Sequence, residues 1–193
     1  MKSNIEIESK VLLTKEEYEN VIKALHLENT PKVKQTNYYI DTKDFYLKKH
    51  DMFLRIREKS QNYELTLKAP LSEGLLEKNE HIASSSFDKL QEDGFFPEGG
   101  IKKFLEILSV NPDDLKILTS LTTTRIEIEY KNSIVDIDRS VYGDVVDYEL
   151  EVETTSMEGA EAIAKEILKA AKIEGKTFNK ASKQTRALNA LKK

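Results

Sequence analysis

The chain has 193 residues, a net charge of −4, a pI near 5.6 and no cysteine. That length suits one domain with its own core, and the missing thiols exclude disulfides and thiolate metal sites. The acidic balance excludes a general nucleic-acid binder, whose footprint is a basic surface.

Charged residues make up 33% and mean hydropathy is −0.53. No apolar run approaches the length that spans a bilayer, and the opening Met-Lys-Ser-Asn-Ile-Glu lacks the apolar stretch of a signal peptide. The expectation is a cytoplasmic protein without membrane association. No Pro-, Gly- or Ser-rich linker and no internal repeat interrupts it, so residues 1–193 read as a single domain.

The first element is Ile5-Glu6-Ile7-Glu8-Ser9-Lys10, where apolar and charged residues alternate with the period of a β-strand. Glu6, Glu8 and Lys10 therefore share one face. Two carboxylates one pleat apart, followed by an ammonium, can grip a divalent cation and a phosphate together. A half-buried strand with a wet polar face has the same pattern, so recurrence along the chain is what gives it weight. Thr14 then caps a helix, with Glu16 and Glu17 in its first turn and Tyr18, Val21, Ile22 and Leu25 as its apolar stripe. Pro31 stops any continuation, and Val33 to Asp41 read as a strand. A short polar connection around Lys48 to Asp51 leads to a strand from Phe53 to Glu58, where Arg55 and Arg57 share a face.

Tyr63 to Lys68 repeats the alternation, grouping Glu64, Thr66 and Lys68. A further strand covers Leu76 to Ile82 and carries Glu80. Residues 86–108 read as two helical pieces split by Phe96-Pro97-Glu98-Gly99-Gly100, and Asn111 to Asp114 as a turn or helix start. Thr124 to Tyr130 alternates cleanly, with Lys131-Asn132 as a hairpin turn. Ile134 to Asp138 puts Asp136 and Asp138 on one face, and Tyr148 to Glu153 lines Glu149, Glu151 and Glu153. Ser156 caps a helix striped by Ala160, Ile163, Ala164, Ile167, Leu168 and Ala171, and a basic helix runs from about Ala181 to Leu191.

Like charges cluster on these strand faces, which costs repulsion unless a ligand or cation compensates. Two arrangements satisfy the pattern: an antiparallel barrel, apolar outside under helices and ionic within, or an open sheet with one wet face. The acidic set is Glu6, Glu8, Asp136, Asp138, Glu149 and Glu151; the basic set is Lys10, Arg55, Arg57, Lys68 and Arg125. Carboxylate oxygens without thiols or a His pair suit Mg²⁺ or Mn²⁺, and guanidinium forks and ammoniums suit phosphate oxygens. Together they describe a site for a metal-bound polyphosphate. There is no GxGxxG after a strand, no P-loop and no GxSxG elbow. His26, His50 and His81 are scattered and read as surface or boundary residues. Lys180, Lys183, Arg186, Lys192 and Lys193 read as a solvated basic face, with Lys183 the one that could reach a site.

The ordered set Glu6-x-Glu8-x-Lys10, YYIDT at Tyr38 to Thr42, LRIRE at Leu54 to Glu58, ELTLK at Glu64 to Lys68, VDID at Val135 to Asp138 and YELEVE at Tyr148 to Glu153 resembles the CYTH superfamily, also called triphosphate tunnel metalloenzymes. The resemblance spans nearly the whole chain and is strongest to small bacterial members of the YjbK type. It implies an α+β fold, mainly antiparallel β: an eight-stranded tunnel barrel with a charged interior, flanked by helices. It assigns Glu6, Glu8, Asp136, Glu149 and Glu151 to Mg²⁺ or Mn²⁺. Lys10, Arg55, Arg57, Lys68, Arg125 and Lys183 fall to phosphate, and Glu6, Glu8, Lys10, Glu149 and Glu151 to catalysis.

Ser182-Lys183 resembles a C-terminal Ser-Lys element, although Gln184 stands where an aromatic is common. Glu80 matches a position that often holds a further tunnel carboxylate, while Asp138 and Glu153 match supporting roles. The implied activity is metal-dependent hydrolysis of a small triphosphate: inorganic tripolyphosphate, thiamine triphosphate or a nucleoside triphosphate. One metal would bridge the phosphates and a second would activate water. Class IV-type adenylyl cyclisation uses the same charges, and a non-catalytic polyphosphate or nucleotide sensor would keep the basic set. A charged β-domain that binds a protein partner is the plainest alternative, and a homodimer is compatible with the sequence.

Overall fold

Alternation along the strands and helical stripes between them lead to the expected α+β architecture, mainly antiparallel β with flanking helices. The computed structural model describes residues 2–71, 75–179 and 181–191, with the side chains of 7–71, 76–179 and 181–191. The chain divides into two compact units, one comprising Met1–Glu6, Gln35–Leu121 and Lys183–Lys193, the other Ile7–Lys34 and Thr122–Ser182.

The first unit is built on β1 (Lys2–Glu6), β3 (Val33–Thr42), β4 (Phe53–Lys59), β5 (Asn62–Pro70) and β6 (Leu75–Ile82), in the order β1-β6-β5-β4-β3. One face is apolar. Ile40, Leu54, Ile56, Leu65 and Leu67 are fully buried there against Leu47 of α2 (Tyr46–Lys49), Phe87 and Leu90 of α3 (Ser84–Glu92) and Ile101 and Leu105 of α4 (Gly100–Ile107). Each such side chain contributes about 1.5–3 kcal/mol over exposure. The α2 helix escapes sequence reading because four residues carry no period. It forms because the buried Asp41 carboxylate accepts the backbone N–H groups of Leu47 and Lys48 at 2.8 and 3.0 Å. The helix α6 (Lys183–Ala190) completes this unit and buries Gln184, Ala187 and Leu188.

The second unit carries β7 (Leu115–Tyr130, which enters from the first unit), β8 (Ser133–Tyr142), β9 (Val145–Glu153) and β2 (Glu8–Leu13), in the order β7-β8-β9-β2. Lys131 and Asn132, both in the left-handed region with φ of 50° and 60°, make the tight hairpin between β7 and β8 as expected. The buried face of Ile126, Val135, Ile137, Leu150, Val152 and Val11 is covered by α1 (Lys15–Ala24) and α5 (Met157–Ala170). Thr14 and Glu17 form a reciprocal capping box at the start of α1.

The expected first strand is two. It breaks at Ile7: Glu6 ends β1 opposite Leu75 of β6, whereas Glu8 opens β2 opposite Glu153 of β9. Among the described residues this gives nine strand segments. No described helix is long and apolar enough to cross a membrane.

Candidate functional site

In the second unit, register alone assembles a carboxylate-rich face. Arg125 on β7 lies opposite Asp138 on β8, which lies opposite Glu149 on β9; Asp136 lies opposite Glu151, which lies opposite Lys10 on β2. Arg125 is the centre of this group. Its Nε and Nη2 donate to the two oxygens of Asp138 at 2.8 and 2.6 Å, Nη2 also donates to Glu151 at 2.9 Å, and Nη1 pairs with Asp136. Asp138 and Glu149 are fully buried. Burial works against the Arg125 charge, but its bonds to Asp138 and the charges of Glu151 and Asp136 outweigh that and raise its pKa. Burial also pushes the Asp136 carboxyl up; Arg125 opposes this, Asp138 and Glu151 reinforce it, and the group ends at about 7. Lys10 donates to Glu8. Burial depresses Lys10, yet the charges of Glu8, Glu151 and Glu149 leave it raised.

The first unit has the opposite balance. On its ionic face Arg55 lies between Tyr39 and Thr66, Arg57 between Asn37 and Glu64, and Lys68 opposite Glu77. Arg57 Nε donates to Asn37 at 3.1 Å. Thr66 donates to Asn79 and Asn79 to Glu77, each at 2.7 Å, and Lys68 pairs with Glu77 at 3.0 Å. The buried Nε–H of Arg55 has no acceptor among the described residues. Tyr39 is 2% exposed. Burial raises its phenol, while the nearby charges of Arg55, Lys183, Arg57 and Arg186 pull it back.

The sequence-predicted residues therefore fall into two sets. Glu8, Lys10, Arg125, Asp136, Glu149 and Glu151 gather on the second unit's face; Arg55, Arg57, Lys68 and Lys183 belong to the first. The side chain of Glu6, and Lys180, Lys192 and Lys193, lie outside the described residues. Glu80 is a correction. It pairs with Leu65 on the apolar side of the sheet, and its carboxylate accepts the N–H groups of Gly100 and Ile101 at the start of α4, each at 3.1 Å. The carboxylate of this strand on the ionic face is Glu77, which sequence reading missed. The signal was present: Leu76, Glu80 and Ile82 share one parity, and the apolar ends mark that parity as the covered face. Arg186 and Tyr39 were missed as well, because α6 and β3 meet only in the fold. The three histidines are exposed, as expected, and so is Glu153.

Among the described residues no three carboxylates or imidazoles form a ready-made metal cage. The donors nevertheless fit a hard cation. Asp136 and Glu151 face each other across two strands, and Asp136 Oδ1 is buried with no hydrogen-bond partner. Mg²⁺ and Mn²⁺ take one or two carboxylates and complete their shell with water and phosphate oxygens.

A family model for the CYTH domain matches residues 4–186. YjbK of Bacillus subtilis (strain 168), provisionally named a triphosphatase, is 39% identical over 167 residues, which are 86% of each chain. A crystal structure from Bacillus halodurans, of a protein provisionally described as an adenylate cyclase, is 38% identical with a TM-score of 0.88, covering 96% of this chain and 98% of that one. HpAC1 from Hippeastrum, provisionally an adenylyl cyclase and described with a dominant triphosphatase activity, shares the fold at 22% identity and a TM-score of 0.78 over 96% of each chain.

Proposed function

The chain belongs to the CYTH domain family, and from that premise we propose that it hydrolyses a small triphosphate with the help of a divalent metal. One observation carries the reading: each unit holds a buried polar atom that lacks a partner, a donor at Arg55 Nε and an acceptor at Asp136 Oδ1. Phosphate oxygens suit the first and a divalent cation suits the second.

In this reading Lys10, Arg55, Arg57, Lys68, Arg125 and Lys183 bind and orient the phosphate oxygens. Glu6, Glu8, Asp136, Glu149 and Glu151 hold Mg²⁺ or Mn²⁺. When bound, the metal neutralises phosphate charge and lowers the pKa of water for in-line attack. The protein's own share is positioning and charge neutralisation by groups already fixed in place: Arg57 by Asn37, Lys68 by Glu77, Lys10 by Glu8.

Product analysis tests this. The full-length protein is incubated with Mg²⁺ or Mn²⁺ and, separately, tripolyphosphate, thiamine triphosphate and ATP. Orthophosphate release that disappears in Glu149→Gln is the expected result. Cyclic AMP with pyrophosphate from ATP would instead make it a cyclase, the reading favoured by the description of the Bacillus halodurans relative. Tight polyphosphate binding without turnover would make it a sensor.

A further inference from the structure

Arg125 is shared unequally among its carboxylates. Asp138, directly opposite on the neighbouring strand and 0% exposed, receives both Nε and Nη2 in a fork at 2.8 and 2.6 Å. Asp136 and Glu151 each receive a single bond, from Nη1 and Nη2. One guanidinium thus serves three carboxylates. Asp136 is 9% exposed, and its Oδ1 is buried without a hydrogen-bond partner. Asp136 and Glu151, two of the carboxylates that the proposed reading gives to the metal, are therefore already engaged by Arg125.

We infer that Arg125 is the resident counter-ion of Asp136 and Glu151, anchored on Asp138, and that it yields those two carboxylates to a divalent cation. This rests on the metal-dependent reading proposed above. The fork to Asp138 holds the side chain in place during the exchange. Nη1, released from Asp136, then becomes a free donor for a phosphate oxygen. Arg125 thereby makes phosphate binding conditional on the cation, which gives the sequence-predicted phosphate role of this residue a structural trigger.

The sign of one measurement decides it. Mn²⁺ alone is titrated into the full-length protein by calorimetry, and thermal unfolding is followed with and without it. If Arg125 competes with the cation, Arg125→Met binds Mn²⁺ about tenfold more tightly. The metal-free variant melts lower than the parent, and Mn²⁺ recovers most of the difference. Arg125→Lys keeps the charge but loses the fork, so it should fold and bind Mn²⁺ with an affinity between the two. Should Arg125→Met not fold, the lysine variant alone decides. Affinity equal to or weaker than the parent, in whichever variant folds, overturns the inference and leaves the proposed function standing. Failure of the parent itself to bind Mn²⁺ overturns the metal-dependent reading and this inference together, whereas undiminished binding in Asp136→Asn overturns this inference alone.

Discussion

Both units lay an ionic face on an antiparallel sheet and cover the other face with helices, yet they balance charge in opposite ways. In the first, Arg55, Arg57 and Lys68 stand among the neutral groups Asn37, Thr66, Asn79 and Tyr39, with Glu64 opposite Arg57 and Glu77 paired with Lys68. In the second, carboxylates crowd around Arg125 and Lys10. Neutral amides and hydroxyls hold a cation in place without cancelling its charge, and Arg55 Nε is buried there without an acceptor among the described residues. On the second face one guanidinium is shared by Asp138, Asp136 and Glu151, and Asp136 Oδ1 stays buried without a hydrogen-bond partner. In the proposed reading, this difference matches an anion to the first face and a cation to the second.

The largest expected effect comes from breaking each face at its unpartnered atom. Asp136→Asn should lower kcat on tripolyphosphate by at least about 100-fold and raise the Mn²⁺ concentration needed for half-maximal rate. Arg55→Ala should instead raise KM about 10- to 100-fold, with Mn²⁺ affinity measured without substrate unchanged. Steady-state kinetics with metal and substrate varied independently separates the two. The same change in both parameters for both variants would erase the contrast between the faces.

Next in size is Glu80, which sequence reading groups with the ionic residues and the fold assigns to the helical layer. Glu80→Ala removes the acceptor of two N–H groups at the start of α4. It should cost about 2 kcal/mol of stability while leaving KM for tripolyphosphate within about twofold. Thermal unfolding beside kinetics checks both halves. A collapse of activity with stability intact would return Glu80 to the ionic face.

The contrast between Glu80 and Arg125 shows how far the sequence could be read. Strand faces were legible because alternation is local: Arg55 and Arg57, Asp136 and Asp138, and Glu149 and Glu151 declare their shared faces within a few residues. The caps Thr14 and Ser156 and the Lys131-Asn132 turn were legible for the same reason. Register was not. That Arg125 meets Asp138 and Glu151, that Lys68 meets Glu77, and that Glu6 and Glu8 join different strands depends on partners distant in sequence. The early part of β7, residues 115–123, was missed because Leu115-Lys116-Ile117-Leu118-Thr119-Ser120 breaks strict alternation.

A smaller effect tests whether the first unit's carboxylate is spent on Lys68. Burial alone would raise the Glu77 carboxyl, but Lys68, Asn79 and Arg55 outweigh it and hold it at about 2, against an ordinary value of 4.5. A lowered folded pKa means the stabilisation is present above 4.5 and is lost as pH falls from there through about 2. After allowance for partial solvation it amounts to about 1–2 kcal/mol. Glu77→Gln should therefore flatten the acid limb of the stability curve between those pH values. An unchanged acid limb would place the loss elsewhere and leave Glu77 free to oppose a bound anion.

The smallest effect asks whether the helical cover of the second unit is independent of its ionic face. Thr14 accepts the N–H of Glu17 at 3.2 Å, and the Glu17 carboxylate accepts the N–H of Thr14 at 2.6 Å and pairs with Lys176 at 2.5 Å. Burial raises Glu17, but Lys176 and Thr14 together outweigh it and leave the carboxyl lowered, so it stays charged where the α1 dipole favours it. Thr14→Ala should cost about 1 kcal/mol, and Thr14→Ser should restore most of it. Tyr18, Val21 and Ile22 of α1 pack on the apolar side of the same strands that carry Glu151 and Asp136 on the other. If the sheet transmits nothing, Mn²⁺ affinity in Thr14→Ala equals that of the parent. An affinity loss larger than the loss of stability can explain would mean that α1 sets the spacing of the carboxylates, and that the two faces of this sheet act as one.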